Sequence, residues 1–239
     1  MILTSTTKNQ ITEHARVEYP REACGLIVAD SDGTQVYWPC RNLAEKQSQF
    51  AMDPADYALA EDSGPILAVV HSHPDAAPLP SQADLVACER TGIPWFILGW
   101  PTEIWHFMTP KGYRAPLIGR EFVHGVLDCY TLIRDWYQEV RSVSLLDFER
   151  GEDWWQKGGD LYLENFGKAG FEKIPEPWDL QVGDVILMQI RSKVVNHAAI
   201  YLGRDQILHH VFNRLSSRDV FGGFWRKNTR MVIRYRGVA

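Results

Sequence analysis

The stretch Ile66-Leu67-Ala68-Val69-Val70-His71-Ser72-His73-Pro74, followed by Ser81 and Asp84, decides how this chain is read. Its first five residues are apolar and partly β-branched, the pattern of a short buried strand. Residues i and i+2 of a strand point to the same face. His71 and His73 can therefore reach one metal ion at the strand's end, and ten residues separate His73 from Asp84. A His/His/Asp set leaves a fourth zinc position open, as a catalytic site requires. The stretch predicts a zinc-dependent hydrolase.

Such a site also needs a general base. Zinc brings a bound water close to losing its proton at neutral pH, and a carboxylate within hydrogen-bond reach can accept that proton and return it to a leaving amine. Glu22 is the candidate, because it opens an apolar segment where an isolated carboxylate should otherwise be avoided. Ser81 is the candidate donor to a developing oxyanion, a contribution of about 2.7–4 kcal/mol where one such donor is removed. Each residue has a plainer reading alone. A single histidine is more often structural, Ser81 with Asp84 has the spacing of a helix start, and Glu22 can pair with Arg21. The combination favours the catalytic reading.

Pro20-Arg21-Glu22-Ala23-Cys24-Gly25-Leu26-Ile27, together with His71-x-His73-Pro74 and Ser81-x-x-Asp84, resembles the JAMM (MPN+) metallopeptidases over about residues 8–110. The resemblance implies a cytidine-deaminase-like curved sheet between helices. It also implies zinc on His71, His73 and Asp84, acid/base duty for Glu22 and oxyanion stabilisation by Ser81. Members cut isopeptide bonds, process precursors or act on small conjugates, so it leaves the substrate open.

Around this stretch the first half reads as a helix over 9–17, strands over 21–29 and 36–38 joined by a turn at 31–34, and a helix begun by Asp53-Pro54. A helix from Ser81 to about Thr91, stopped by Gly92, and strands over 95–98 and 105–108 complete it. Pro110-Lys-Gly-Tyr-Arg-Ala-Pro116 breaks the pattern and places a boundary, giving domains over 1–115 and 116–239. The overall class is α+β. No internal repeat is present.

The second half begins with an amphipathic helix over 128–137 that carries Cys129 in its first turn. A loop and short helix are expected over 151–171, a turn into a strand over 182–188, strands over 197–202 and 206–211, and a last strand over 231–235. The four cysteines have no CxxC pair, which argues for free thiols. Three read as packed apolar groups. Cys129 differs, because a helix N-terminus lowers a thiol pKa and a nearby imidazole activates it further. His197 and His209 lie on consecutive strands and can complete a Cys–His–polar triad in which the third group orients the base.

Asp128-Cys129, Val182-Gly-Asp-Val-Ile186, Asn196-His-Ala-Ala-Ile-Tyr-Leu-Gly203 and Ile207-Leu-His-His210 resemble the NlpC-type, papain-like cell-wall peptidases. The resemblance implies Cys129 as nucleophile, His197 as base, His209 as orienting residue and bacterial peptidoglycan as substrate. One departure is Tyr130-Thr131, where many members have Ser-Gly; it bears on substrate choice. A JAMM half followed by an NlpC-type half, with Pro116-Leu-Ile-Gly-Arg120 ahead of Cys129, resembles the tail-tip assembly proteins of lambda-like phages. That resemblance implies tail-tip proteins as partners, synthesis in the host cytoplasm and action from the tail tip at the host wall. A purely structural assembly role is the alternative.

Composition is that of a soluble globular protein, with 45% hydrophobic and 23% charged residues. No run of 18 apolar residues and no signal-peptide layout is present, so no membrane insertion is expected; no nucleic-acid partner is expected either. Residues 1–115 carry 14 acidic and 8 basic side chains, and residues 116–239 carry 16 and 17. Within 214–236, seven Lys/Arg stand against Asp219 alone. That segment reads as a surface for an anionic polymer or as a charged strand edge.

Overall fold

A computed structural model describes residues 1–151 and 153–237. Residue 152 (within the expected 151–171 loop) and residues 238–239 (within the expected second domain) lie outside the described residues. The chain divides into two compact units, Met1–Arg114 and Ala115–Ala239.

The first unit is a mixed five-stranded sheet in the order β2-β1-β3-β4-β5, built from β1 (Cys24–Ala29), β2 (Gln35–Cys40), β3 (Ile66–Pro74), β4 (Trp95–Trp100) and β5 (Ile104–Met108). Only β3 and β4 are parallel, so the chain must cross over between them, and α3 (Gln82–Thr91) makes that connection. Helix α1 (Ser5–Glu18) buries Ile11 and Ala15 against one face with Ile27, Ala68, Val70 and Leu98. On the opposite face, Ala60 of α2 (Pro54–Ser63) and Cys88 of α3 pack with Leu26, Val28, Val69 and Ile97. Alternate residues of β3 thus feed opposite layers. Val69, His71 and His73 fall on the α3 side, and the last two stand at the strand's C-terminal end.

Gly25 permits a close approach within this sheet. A Cβ there would lie 2.6 Å from the Tyr37 ring, which crosses directly over it.

The second unit is a six-stranded antiparallel sheet in the order β10-β9-β8-β7-β11-β6. Its strands are β6 (Phe171–Ile174), β7 (Val185–Met188), β8 (His197–Gly203), β9 (Gln206–His209), β10 (Ser217–Val220) and β11 (Thr229–Tyr235). Helix α4 (Cys129–Arg141) buries Leu132, Ile133, Trp136 and Tyr137 against Leu187, Ala198, Ile200 and Ile233. That apolar spacing of one, four and five positions is what makes the segment helical and fixes which side meets the sheet. Two short helices, α5 (Leu161–Asn165) and α6 (Gly223–Asn228), flank it.

The structure departs from sequence expectation in several boundaries. Helix α1 starts at Ser5, where Thr4 caps it by accepting from Thr7 N. Glu22 precedes β1 rather than lying in it. The strand bearing the histidines runs on through Pro74, held by β4 alongside. Strands β6 and β10 and helix α6 had no clear sequence signal. β10 is an edge of its sheet and carries Arg218, so part of the basic segment serves as a charged strand edge.

Candidate active sites

In the first unit, β3 and the start of α3 bring the expected metal ligands together. His71 Nε2 and His73 Nε2 are 3.0 Å apart. Asp84 Oδ1 lies 3.4 Å from His71 Nε2, and Asp84 Oδ2 lies 3.6 Å from His73 Nε2. One donor atom from each residue falls within 4.8 Å of the others. Donors held tetrahedrally at about 2.0–2.1 Å from zinc stand roughly 3.3 Å from one another. The observed spacings bracket that value, so the residues fit a zinc ion.

Each ligand is held from behind. His73 Nδ1 is 3.1 Å from the Ala77 carbonyl, which accepts from it and leaves Nε2 as the ligating atom. Phe50 stacks on the His71 ring at 4.7 Å, and Trp95 meets it edge-on at 5.6 Å. Asp84 is fixed by a capping box. Its N–H donates to Ser81 Oγ, while Ser81 N–H and Oγ–H both donate to Asp84 Oδ2, at 2.7 and 2.8 Å. Burial opposes the charge on Asp84, but His71, His73 and the Ser81 N–H overcome it and hold the carboxyl far below its usual range. Burial likewise opposes protonation of His73, yet Asp84, the Ala77 carbonyl and Glu22 raise it.

Glu22 is only 6% exposed. Ser72 N–H donates to the Ala23 carbonyl and Ala23 N–H to Ser72 Oγ, which carries the β1–β3 pairing one step beyond its Cys24–His71 register. Glu22 is thereby placed alongside the histidine end of β3. Burial pushes its carboxyl up to about 7, against the lowering effect of His71 and His73.

In the second unit, Asp128 caps α4 by accepting from Thr131 N at 2.9 Å, with Cys129 as the first helical residue. Arg150 holds that carboxylate through Nε at 2.9 Å. Of the four cysteines, Cys24, Cys40 and Cys88 are buried, and Cys129 is partly exposed. Cys129 Sγ lies 3.1 Å from the Tyr162 hydroxyl. His197 Nε2 lies 3.2 Å from His209 Nδ1, and His209 Nε2 lies 3.0 Å from Asp219 Oδ2. Trp225 covers His209 edge-on at 4.4 Å.

The net shift of this thiol is upward despite its place at a helix N-terminus. Burial and the Asp128 carboxylate push Cys129 up to about 11, outweighing the Tyr162 hydroxyl, the Ala198 N–H and Arg150, which act the other way. Burial drives His197 down to about 3, with His209 and His210 adding to the effect. At neutral pH the resting site is a neutral thiol near neutral imidazoles.

The structure brings His71, His73 and Asp84 together in the first unit and His197 and His209 together in the second, where Cys129 faces the N–H of Ala198, the residue after His197. Contributors missed in the sequence include Phe50, Trp95, Arg150, Tyr162, Asp219 and Trp225. Only Asp219 had a signal, as the one acid in a basic segment.

Two family models match the chain. Prokaryotic homologs of the JAB domain match residues 4–110, and the NlpC/P60 family matches residues 119–234. Tail tip assembly protein K of Escherichia phage N15 is 38% identical over 97% of this chain and 95% of its own length. The chain belongs to the tail tip assembly protein K family. Tail tip assembly protein K of Escherichia phage lambda is 40% identical over 77% of this chain and 89% of its own length. A desampylase of Haloferax volcanii is 28% identical over 46% of this chain and 81% of its own length. This chain thus combines a JAB-type domain and an NlpC/P60 domain, in that order. Among the described residues no helix is long and apolar enough to cross a membrane.

Proposed function

We propose that this protein is a tail-tip assembly protein with two peptidase sites: a cysteine endopeptidase for peptidoglycan and a zinc-dependent peptidase for a protein or isopeptide bond. The observations that support the first activity are the His197–His209 hydrogen bond and the Ala198 N–H, next in chain to His197, that faces the Cys129 thiol. His197 Nε2 is engaged by His209, so Nδ1 is the nitrogen left to take the thiol proton.

Cys129 Sγ attacks the scissile carbonyl carbon as its proton passes to His197 Nδ1. His197 then gives that proton to the leaving amine, the C–N bond breaks, and a thioester remains on Cys129. A water adds to the thioester with its proton going to His197, which returns one to sulfur as the acid departs. His209 holds the imidazole in place throughout. The low pKa of His197 keeps it unprotonated at neutral pH.

At the other site, His71, His73 and Asp84 are the residues that would hold a zinc ion. When bound, zinc supplies water activation and carbonyl polarisation. Glu22 takes a proton and hands it to the leaving amine, a role suited to a carboxyl poised near neutrality. Ser81 Oγ, which donates to Asp84 at rest, turns its proton toward the developing oxyanion.

Purified murein sacculi and isolated tail-tip proteins, each incubated with the wild type, Cys129→Ala and Glu22→Gln, test both activities. Soluble muropeptides are expected from the wild type and Glu22→Gln but not from Cys129→Ala. Undiminished release by Cys129→Ala would remove the cysteine-peptidase reading. Cleavage of a tail-tip protein that persists in Glu22→Gln would remove the metallopeptidase reading.

A further inference from the structure

The thiol site does not end at the triad. His209 Nε2 reaches Asp219 Oδ2 at 3.0 Å, and β10 places that carboxylate there. Ser217 is the register partner of His209, and Asp219, two residues on, shares the face of Ser217. Trp225 packs edge-on against the same ring.

The line His197, His209, Asp219 has a direction fixed by hydrogen-bond chemistry. A carboxylate only accepts, so His209 carries its proton on Nε2. His209 Nδ1 is then an acceptor, and its partner His197 Nε2 must be the donor. A neutral His197 with its proton on Nε2 has Nδ1 free to accept from the thiol. Reverse the line and the site stops working: a proton on His209 Nδ1 would be donated to His197 Nε2 and would force the His197 proton onto Nδ1. A donor in the carboxylate's place imposes that reversal, and an apolar residue leaves the choice open.

We propose that Asp219 is a positioning residue for the thiol site, acting through His209 to keep the His197 proton on Nε2. The assignment rests on reading Cys129 as the nucleophile. Asp219 lies on an edge strand with its side chain 29% exposed, so its replacement spares the core. After attack, the same carboxylate faces the positive charge that His197 and His209 share.

The test uses the full chain labelled with 15N-histidine. Long-range proton–nitrogen spectra at neutral pH report the tautomer of each ring, and sacculus digestion reports kcat and KM. The wild type should show protons on Nε2 of both His197 and His209. Asp219→Ala should give mixed tautomers and a kcat lower by about tenfold with KM unchanged, the loss of one charge-assisted hydrogen bond. Asp219→Lys, a pure donor, should move the His197 proton to Nδ1 and abolish turnover. A purely structural role would lower stability and leave the tautomers as they are.

Wild-type protein with the His197 proton on Nδ1 overturns the proposal. So does a folded Asp219→Ala or Asp219→Lys protein with wild-type tautomers. If the wild type releases no muropeptides, the peptidase reading falls, while the tautomers still decide the role of Asp219. If muropeptides are released and the tautomers do not respond, the role of Asp219 falls alone.

Discussion

The two sites answer burial in opposite ways. In the first unit, carboxylates gather around a point where two imidazoles converge, and Asp84 stays ionised although it is 8% exposed. A buried charge costs several kcal/mol unless it is paired or hydrogen-bonded; the capping box and the two histidines meet that need. In the second unit, burial keeps Cys129 protonated and His197 unprotonated. One site stores negative charge suited to a dication. The other is neutral at neutral pH. Desolvation acts on both, and the neighbours decide which protonation state survives it.

The largest expected effects break this contrast at its chemical roots. Cys129→Ala should lower murein digestion by at least about 10³-fold while leaving zinc at one ion per chain by metal analysis. His71→Ala and Asp84→Ala should do the reverse, losing zinc while murein digestion stays within about twofold of the wild type; three protein ligands are the minimum a catalytic site of this kind uses. A murein defect in His71→Ala would show that the sites are not independent. Glu22→Gln should retain zinc and lose about 10²–10⁴-fold in cleavage of a tail-tip protein. If the double variant Glu22→Ala with Cys129→Ala still supports full tail assembly, catalysis is dispensable for that step and the structural role stands alone.

A smaller effect sharpens the contrast through pH. Glu22 in the metal-free protein has a folded pKa of about 7 against an ordinary 4.5. Its protonated form is favoured by folding, so its contribution is complete below about 4.5 and disappears as pH rises through about 7. His197 is depressed from 6.5 to about 3, and His210 from 6.5 to about 4. Their neutral forms are favoured by folding, so their contribution is complete above about 6.5 and disappears as pH falls toward 3. Hydrogen exchange on the metal-free full chain should therefore show β3 losing protection as pH rises from 4.5 to 7, after correction for the intrinsic rate. β8 should lose protection as pH falls below 6.5. Glu22→Gln should flatten the first trend and leave the second.

The smallest effect concerns the cap. Ser81→Ala removes the acceptor for Asp84 N–H and a donor to Asp84 Oδ2. It should cost about 1 kcal/mol in urea unfolding of the metal-free protein, and it should weaken zinc retention on dialysis. Unchanged retention would show that the histidines alone orient the ion.

Legibility in the sequence followed the range of the interactions. His71 and His73 are two residues apart on a strand, and Ser81 and Asp84 three apart at a helix start, so backbone periodicity alone places each pair. Cys129 announces itself through the Asp128 cap and the apolar stripe of the helix behind it. Phe50 on His71 and Tyr162 on Cys129 join residues 21 and 33 positions apart through packing and a hydrogen bond between separate elements. Such pairs have no period to betray them. The expected activation of Cys129 shows the same limit, because a helix N-terminus is local while the burial that outweighs it is not.

The sequence by itself determined the two-part organisation and pointed to the His71, His73 and Asp84 group and the Cys–His–His candidates, because those depend on spacing along single elements and on residue chemistry. Tertiary structure alone decided the protonation of both sites and brought Asp219 to His209. Those depend on desolvation and on which strand lies at the sheet's edge, and both are properties of the packed chain.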